Sequence, residues 1–138
     1  TGPDAVCMLF RRPVLYVDVT SYCQFFFGSQ LATWSPVRLL KNGKTLKLSE
    51  VVNSEIAWFK NPNLFAANGI SQQKSSEREL SGLVELYLKN RNSPSVEASL
   101  GQNLVAEGMG ERGRLQFGEV TALLLPHVDQ VLGDWVRS

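Results

Sequence analysis

The sequence predicts a mixed α/β fold built around a parallel sheet, on two observations. First, residues 14–17 form an unbroken apolar run directly after a helix-like opening segment, as expected of a strand covered on both faces of a parallel sheet. Second, helix-like and strand-like patterns then alternate: a helix from about residue 49, a short strand at 70–73 and a helix from 76 to about 90. Such alternation with short connections is typical of a parallel α/β layer with flanking helices.

Length and composition limit the possible classes of protein. A chain of 138 residues with 43% hydrophobic and 20% charged residues has the composition of one ordinary globular domain. The net charge of +1 argues against a nucleic-acid partner. Cys7 and Cys23 are the only cysteines and His127 is the only histidine, so neither a zinc site nor a Cys–His nucleophile is supported and no cofactor is expected. Two buried free thiols predict a cytoplasmic location.

The opening segment predicts a short helix that ends at a strand. Pro3 suits the first helical position, and Asp4 places a carboxylate where the helix dipole favours it. Pro13 ends the helix, since a proline disfavours helical backbone in the residue before it. The run at 14–17 is then expected to be a fully buried strand.

The middle of the chain contains clear local signals and one unclear stretch. Residues 22–40 are predicted to be a long aromatic connection, broken at Ser35-Pro36, because no helical or alternating period is visible. Residues 41–44 predict a tight turn, and Ser49 is the expected N-cap of the next helix. The expected apolar positions of this helix and of the helix at 76–90 are Val51, Val52, Ile56, Phe59, Leu80, Leu83, Val84, Tyr87 and Leu88. Asn68-Gly69 predicts a left-handed helix end, and Ser76 and Glu79 have capping-box spacing.

The last third of the chain predicts helices rather than strands. Residues 96–104 are a helix candidate, and residues 116–135 predict one or two helices split at Pro126. The glycines of 108–113 have the spacing of a dinucleotide-binding loop but follow a helix-like segment rather than a strand, so that interpretation is rejected. The predicted division is an α/β domain at 1–92 and a helical tail at 93–138.

The best candidate site in the sequence is an anion site at the start of the opening helix. Thr1 offers a hydroxyl, Gly2 permits close approach to the backbone, and Pro3 begins the helix whose free N–H groups favour a phosphate. Asp18 and Thr20 follow the first strand, and ligands of α/β proteins bind at the carboxyl ends of parallel strands. A purely structural helix cap also explains the first three residues and, on residue types alone, is the favoured interpretation.

Several segments, in order, resemble one family. The chain resembles the C-terminal, donor-binding half of bacterial glycosyltransferases of the GT-B type that are associated with surface-polysaccharide gene clusters. The matching segments are residues 1–17, 34–41, 43–50, 68–80 and 113–117. The chain departs from the family pattern at Asp18, where the family usually has Asn, and at 75–77, where Ser-Ser-Glu replaces the commoner Asn-Thr/Ser-Pro-Glu.

The resemblance implies a partial Rossmann-like domain, the C-terminal half of a GT-B fold, with its first strand missing. It places the diphosphate of a nucleotide-sugar donor at Thr1, Gly2 and Pro3, and the rest of the donor cleft near Asp18 and Thr20. It further implies a glycan or lipid-linked acceptor, an N-terminal domain outside these residues that holds the acceptor, no metal ion, and a cytoplasmic protein peripheral to the membrane. The chain alone is then expected to be inactive.

Two other functions remain open at the level of the sequence. A sugar-nucleotide epimerase of the same architecture would use a similar glycine-led helix to hold the diphosphate. A non-catalytic α/β interaction module would keep the fold without the chemistry.

Overall fold

The computed structural model describes residues 10, 12–20, 32–90, 107–108, 110–112 and 123–136. This part of the chain is a mixed α/β structure with two three-stranded sheets. The expectation of an α/β class is therefore confirmed. The opening helix, the cysteines, Thr1 to Pro3 and the helix candidate at 96–104 lie outside the described residues.

The first sheet is parallel and has the strand order β1-β2-β6. β1 is Val14–Val19, β2 is Ala32–Pro36 and β6 is Leu123–Leu124. β1 pairs with β2 from Val14 opposite Ala32 to Val19 opposite Pro36, and β6 pairs with the other edge of β2. β2 is thus the central strand of the parallel sheet.

The second sheet is antiparallel and begins where the first one ends. β3, Arg38–Lys41, follows β2 after the single residue Val37, and pairs with β4, Lys44–Thr45, and β5, Ile70–Gln73. Asn42 and Gly43 connect β3 to β4 with φ values of 53° and 76°, as a two-residue hairpin turn with both central residues left-handed requires. The predicted turn at 41–44 is confirmed, and β5 is an outer strand of this sheet as far as the described residues show.

Helices flank these sheets. The α-helices include α1 (Leu48–Val52), α2 (Pro62–Ala67), α3 (Glu77–Asn90) and α4 (Asp129–Leu132), and 3-10 helices span Glu55–Trp58 and Asp134–Val136. The side chain of Asn61 accepts a hydrogen bond from the Asn63 N–H at the start of α2, and Gly69 follows its end with a φ of 70°. This confirms the predicted left-handed helix end. α3 confirms the predicted long helix at its expected bounds.

One hydrophobic core joins both sheets to the helices. Its fully buried members include Trp34 in β2, Leu39 in β3, Leu48 in α1 and Leu83 in α3. α3 packs closely on α4, since a Cβ at Gly82 would lie 3.2 Å from Cγ1 of Val131. The core therefore depends on segments from both ends of the described chain.

The expectation of an irregular connection at 22–40 is wrong for residues 32–40. Ala32–Pro36 and Arg38–Lys41 are strands, and Trp34, Ser35 and Pro36 are buried. The proline is tolerated because Pro36 is the last residue of β2, and the next N–H, that of Val37, continues the ladder by donating to the Val19 carbonyl at 3.1 Å.

The helical interpretation of the tail is wrong at Leu123 and Leu124, which form β6. The Leu125 N–H extends this pairing by donating to the Trp34 carbonyl at 2.8 Å. A short apolar run fits a buried strand as well as a helix, and here the backbone groups of β2 decide the outcome. The predicted helix is confirmed only after Pro126, at α4.

Three details of burial, pairing and capping differ from expectation. β1 is only partly buried, with Val17 39% exposed, so the expectation of a fully buried strand is wrong. The parallel partner of β1 is β2, whereas the predicted strand at 70–73 pairs antiparallel with β3. α1 begins at Leu48 with Lys47 as its N-cap, so Ser49 lies inside the helix and not at its N-cap.

The inward faces of two helices also differ from the predicted ones. α1 ends at Val52, so Ile56 belongs to the following 3-10 helix and Phe59 lies beyond it. On α3, Leu80, Leu83 and Tyr87 contact the core as predicted. Val84 and Leu88 are 47% and 52% exposed, so their predicted inward orientation is wrong. Leu86 packs against the core instead.

Candidate functional site

The carboxyl end of β1 carries an irregularity at Asp18. The register with β2 shifts between Tyr16 and Val19, and Asp18 has a φ of 53°. Aspartate and asparagine adopt this left-handed region more readily than other non-glycine residues, because their short polar side chains can bond locally. A bulge of this kind turns a side chain away from the direction that regular pleating would give it.

The Asp18 carboxylate contacts the segment that leads into α3. Its Oδ1 accepts hydrogen bonds from the Ser75 Oγ at 2.7 Å and the Ser75 N–H at 3.2 Å, and its Oδ2 lies 3.2 Å from the same N–H. The two residues are separated by 57 positions in the sequence. This contact, hereafter the Asp18–Ser75 clasp, ties the end of β1 to the start of α3.

Thr20 lies one residue beyond β1 and is half-buried. The structure thus places Asp18 and Thr20 at the carboxyl end of a parallel strand, as predicted. Thr1, Gly2 and Pro3 lie outside the described residues, and their role remains a prediction.

At the start of α3, nearby side chains accept hydrogen bonds from backbone N–H groups of the same segment. The Glu79 carboxylate accepts from the Ser76 N–H at 3.1 Å, and the Ser76 Oγ accepts from the Glu79 N–H at 3.2 Å. These reciprocal bonds confirm the predicted capping box. They also occupy N–H groups that an anion would otherwise use, so this helix start acts as a structural anchor beside the site.

Arg38 holds the same helix start from the side of β3. Its guanidinium donates to the Glu79 carboxylate and to the Leu132 carbonyl, the latter at 3.0 Å, and lies 6.0 Å from the centre of the Trp135 ring. The Trp135 Nε1–H donates to the same Leu132 carbonyl at 2.7 Å. Arg38 therefore joins β3, α3 and the residues after α4 through one partly buried group.

This environment lowers the pKa of Glu79. The hydrogen bond from Arg38 is the largest cause, and the bonds from Ser76 act in the same direction against the opposing effect of burial. Each of these donors favours the charged carboxylate.

We expect the free energy of unfolding to fall in acid because of Glu79. Since its folded-state pKa lies below the ordinary value of 4.5, the carboxylate stabilises the fold fully above the pKa of the unfolded chain. That contribution is lost as the pH falls through the folded-state pKa. Urea denaturation of the wild type and Glu79→Gln between pH 7 and pH 3 should show a smaller dependence on pH in the variant.

The matched control for this prediction is Glu55→Gln. Glu55 pairs with Arg112 at 3.1 Å, but both side chains are more than half exposed, and such surface pairs contribute little to stability. Glu55→Gln should therefore keep the wild-type pH profile. An equal change of profile in both variants would contradict the assigned role of Glu79.

Two general features of the described residues bear on function. No group of three or more metal-ligating side chains lies together in the described segments. No helix within those segments is both long enough and apolar enough to cross a bilayer.

The sequence alone does not indicate that Ser75 and Arg38 lie at the polar cluster formed by the end of β1 and the start of α3. The Ser75–Glu79 sequence predicts a helix start from local spacing alone, and nothing in it indicates a partner 57 residues earlier. Arg38 fell in the stretch that lacked visible periodicity, so its position on a strand beside α3 could not be inferred. Both residues are identified only by the packing of the two sheets.

The fold and the site define a mixed α/β protein with a polar cluster at the carboxyl end of a parallel strand. Comparison with protein-family models, with curated proteins and with solved structures found no match to the chain.

Proposed function

We propose that this chain is the donor-binding part of a glycosyltransferase. The substrate is a nucleotide-sugar, and the acceptor is a glycan or lipid-linked precursor of a bacterial surface polysaccharide. The observation that carries the proposal is the position of Asp18 and Thr20 at the carboxyl end of β1, where α/β proteins bind nucleotides. The ordered resemblance of five segments to the donor-binding half of GT-B enzymes supports the same assignment.

The proposed chemistry follows from the groups available. Transfer breaks the bond between the anomeric carbon of the sugar and the diphosphate oxygen. An acceptor hydroxyl oxygen bonds to the same carbon and gives its proton to the catalytic base. The negative charge that develops on the leaving diphosphate is stabilised by backbone N–H groups after Gly2 and by the hydroxyl of Thr1. Thr20 supplies a second hydroxyl to the donor cleft. Hydrogen bonds of this kind stabilise the leaving group without a metal ion.

The proposal assigns the acceptor and the catalytic base to a domain outside these 138 residues. This follows the resemblance, in which the donor-binding half lies behind an acceptor-binding half. The complete enzyme would work in the cytoplasm, peripheral to the membrane that carries a lipid-linked acceptor. The chain alone would bind donor but would not transfer sugar.

Ligand-observed NMR on the complete protein with UDP, GDP and their sugars tests this proposal. We expect saturable binding of one nucleotide and its sugars, and release of the nucleoside diphosphate only when an acceptor is added. Conversion of the donor to its epimer without an acceptor would instead identify a sugar-nucleotide epimerase. Binding of none of these ligands would contradict the proposal and favour a non-catalytic interaction module.

A further inference from the structure

We infer that Asp18 is a positioning residue that acts on the donor cleft through Ser75, rather than a residue that touches the donor. This inference rests on the proposed function, because it concerns the same cleft. It reassigns Asp18, which the sequence placed among the donor-binding residues, and adds Ser75, which the sequence did not indicate.

The Asp18 carboxylate is already bonded to Ser75. Both Asp18 oxygens face Ser75, and the shortest contact, 2.7 Å from Oδ1 to the Ser75 Oγ, is a charge-assisted hydrogen bond. A carboxylate held in this way has its charge directed at α3. It would also repel the diphosphate of a donor if it faced the cleft, so its engagement with Ser75 suits an anionic ligand.

The backbone of Asp18 has a left-handed conformation that few residue types adopt readily. Its φ of 53° and the register shift beside it are tolerated by aspartate and asparagine, which can also bond to a neighbouring segment. Asparagine at this position would keep the backbone conformation and one oxygen for Ser75.

The clasp connects the end of β1 to the segment before α3. Thr20 lies two residues after Asp18, so the clasp holds the end of β1 together with the bond from the Val37 N–H to the Val19 carbonyl, at 3.1 Å. α3 is independently anchored by the bond between Arg38 and Glu79 and by its packing on α4. Loss of the clasp should therefore move the cleft residues around Thr20 while α3 and the core stay in place.

A double-mutant cycle on the complete protein tests this role, with UDP and GDP as probes. Ser75→Ala, Asp18→Ala, the double variant and Asp18→Asn are compared in nucleotide affinity by calorimetry and in melting temperature. We expect Ser75→Ala and Asp18→Ala each to weaken binding about tenfold, because apparent affinity falls in proportion to the fraction of protein that keeps the cleft in its binding conformation. The double variant should be no weaker than either, since both remove the same contact. Asp18→Asn should retain affinity within about threefold, because its remaining oxygen still accepts from Ser75.

The outcomes separate this inference from the proposed function. If the wild type binds and only Asp18→Ala weakens binding, Asp18 touches the donor directly and the inference is wrong. If Ser75→Ala lowers the melting temperature without changing affinity, the clasp is structural only and the inference is again wrong. If the wild type binds neither nucleotide, the proposed function fails first, and a role of the clasp toward a donor fails with it.

Discussion

Replacing Trp34 with alanine is expected to remove a large part of the stability of this fold. Trp34 is fully buried in β2, the central strand between β1 and β6, and the β6 ladder continues at its own carbonyl. Truncation of a buried Trp or Phe to alanine costs about 3–5 kcal/mol, against a typical total of about 5–15 kcal/mol. Urea denaturation followed by circular dichroism should show a large fall in the midpoint, or a chain that is unfolded in buffer.

The control for this prediction is Phe10→Ala. Phe10 is also a large aromatic residue, but it is 72% exposed, and exposed substitutions usually change stability by less than about 0.5 kcal/mol. We therefore expect Phe10→Ala to unfold at the wild-type midpoint. Equal midpoints for the two variants would contradict the central position of β2.

The elements that could be predicted from the sequence are those with a local physical cause. Asn42-Gly43 permits the left-handed backbone of a tight hairpin, Asn68-Gly69 ends α2, and the Ser76–Glu79 spacing begins α3. In each case the residues that determine the backbone lie within four positions of each other. Their free energy is gained locally and does not depend on which strand lies beside them.

The elements that could not be predicted depend on distant partners. β2 shows no alternation of apolar and polar residues, because protein covers both faces of this strand around Trp34 and Pro36. β6 is only two residues long, and its strand conformation is stabilised by β2, about 90 residues earlier. The exposure of Val84 on α3 has the same origin, since the orientation of the helix is determined by the elements it packs against.

The candidate site likewise contains residues that the sequence indicates and residues that only the packing of distant segments brings together. The polar residues at the carboxyl end of β1 could be predicted, because an apolar run followed by Asp18 and Thr20 marks the end of a strand. Ser75 could not, since its contact with Asp18 depends on how β5 and α3 return to β1. The proposed diphosphate site at Thr1, Gly2 and Pro3 still depends on the sequence and the resemblance.

Gly2→Val should have the largest effect on donor binding. In the proposed site the diphosphate approaches the backbone at Gly2, where any side chain would fill the space and a β-branched one would fill it most. We expect affinity for the nucleoside diphosphate to fall at least ~100-fold, which corresponds to about 2.8 kcal/mol or more. Gly2→Ala should give a smaller loss.

The most direct measurement of the central claim is nucleotide affinity by calorimetry on the complete protein, in the wild type and in Gly2→Val, with melting temperature as the check on folding. The proposed donor site predicts that the wild type binds UDP or GDP, and that Gly2→Val loses this binding while its melting temperature stays close to the wild-type value. Unchanged affinity in a folded Gly2→Val variant would contradict the assignment of the donor site.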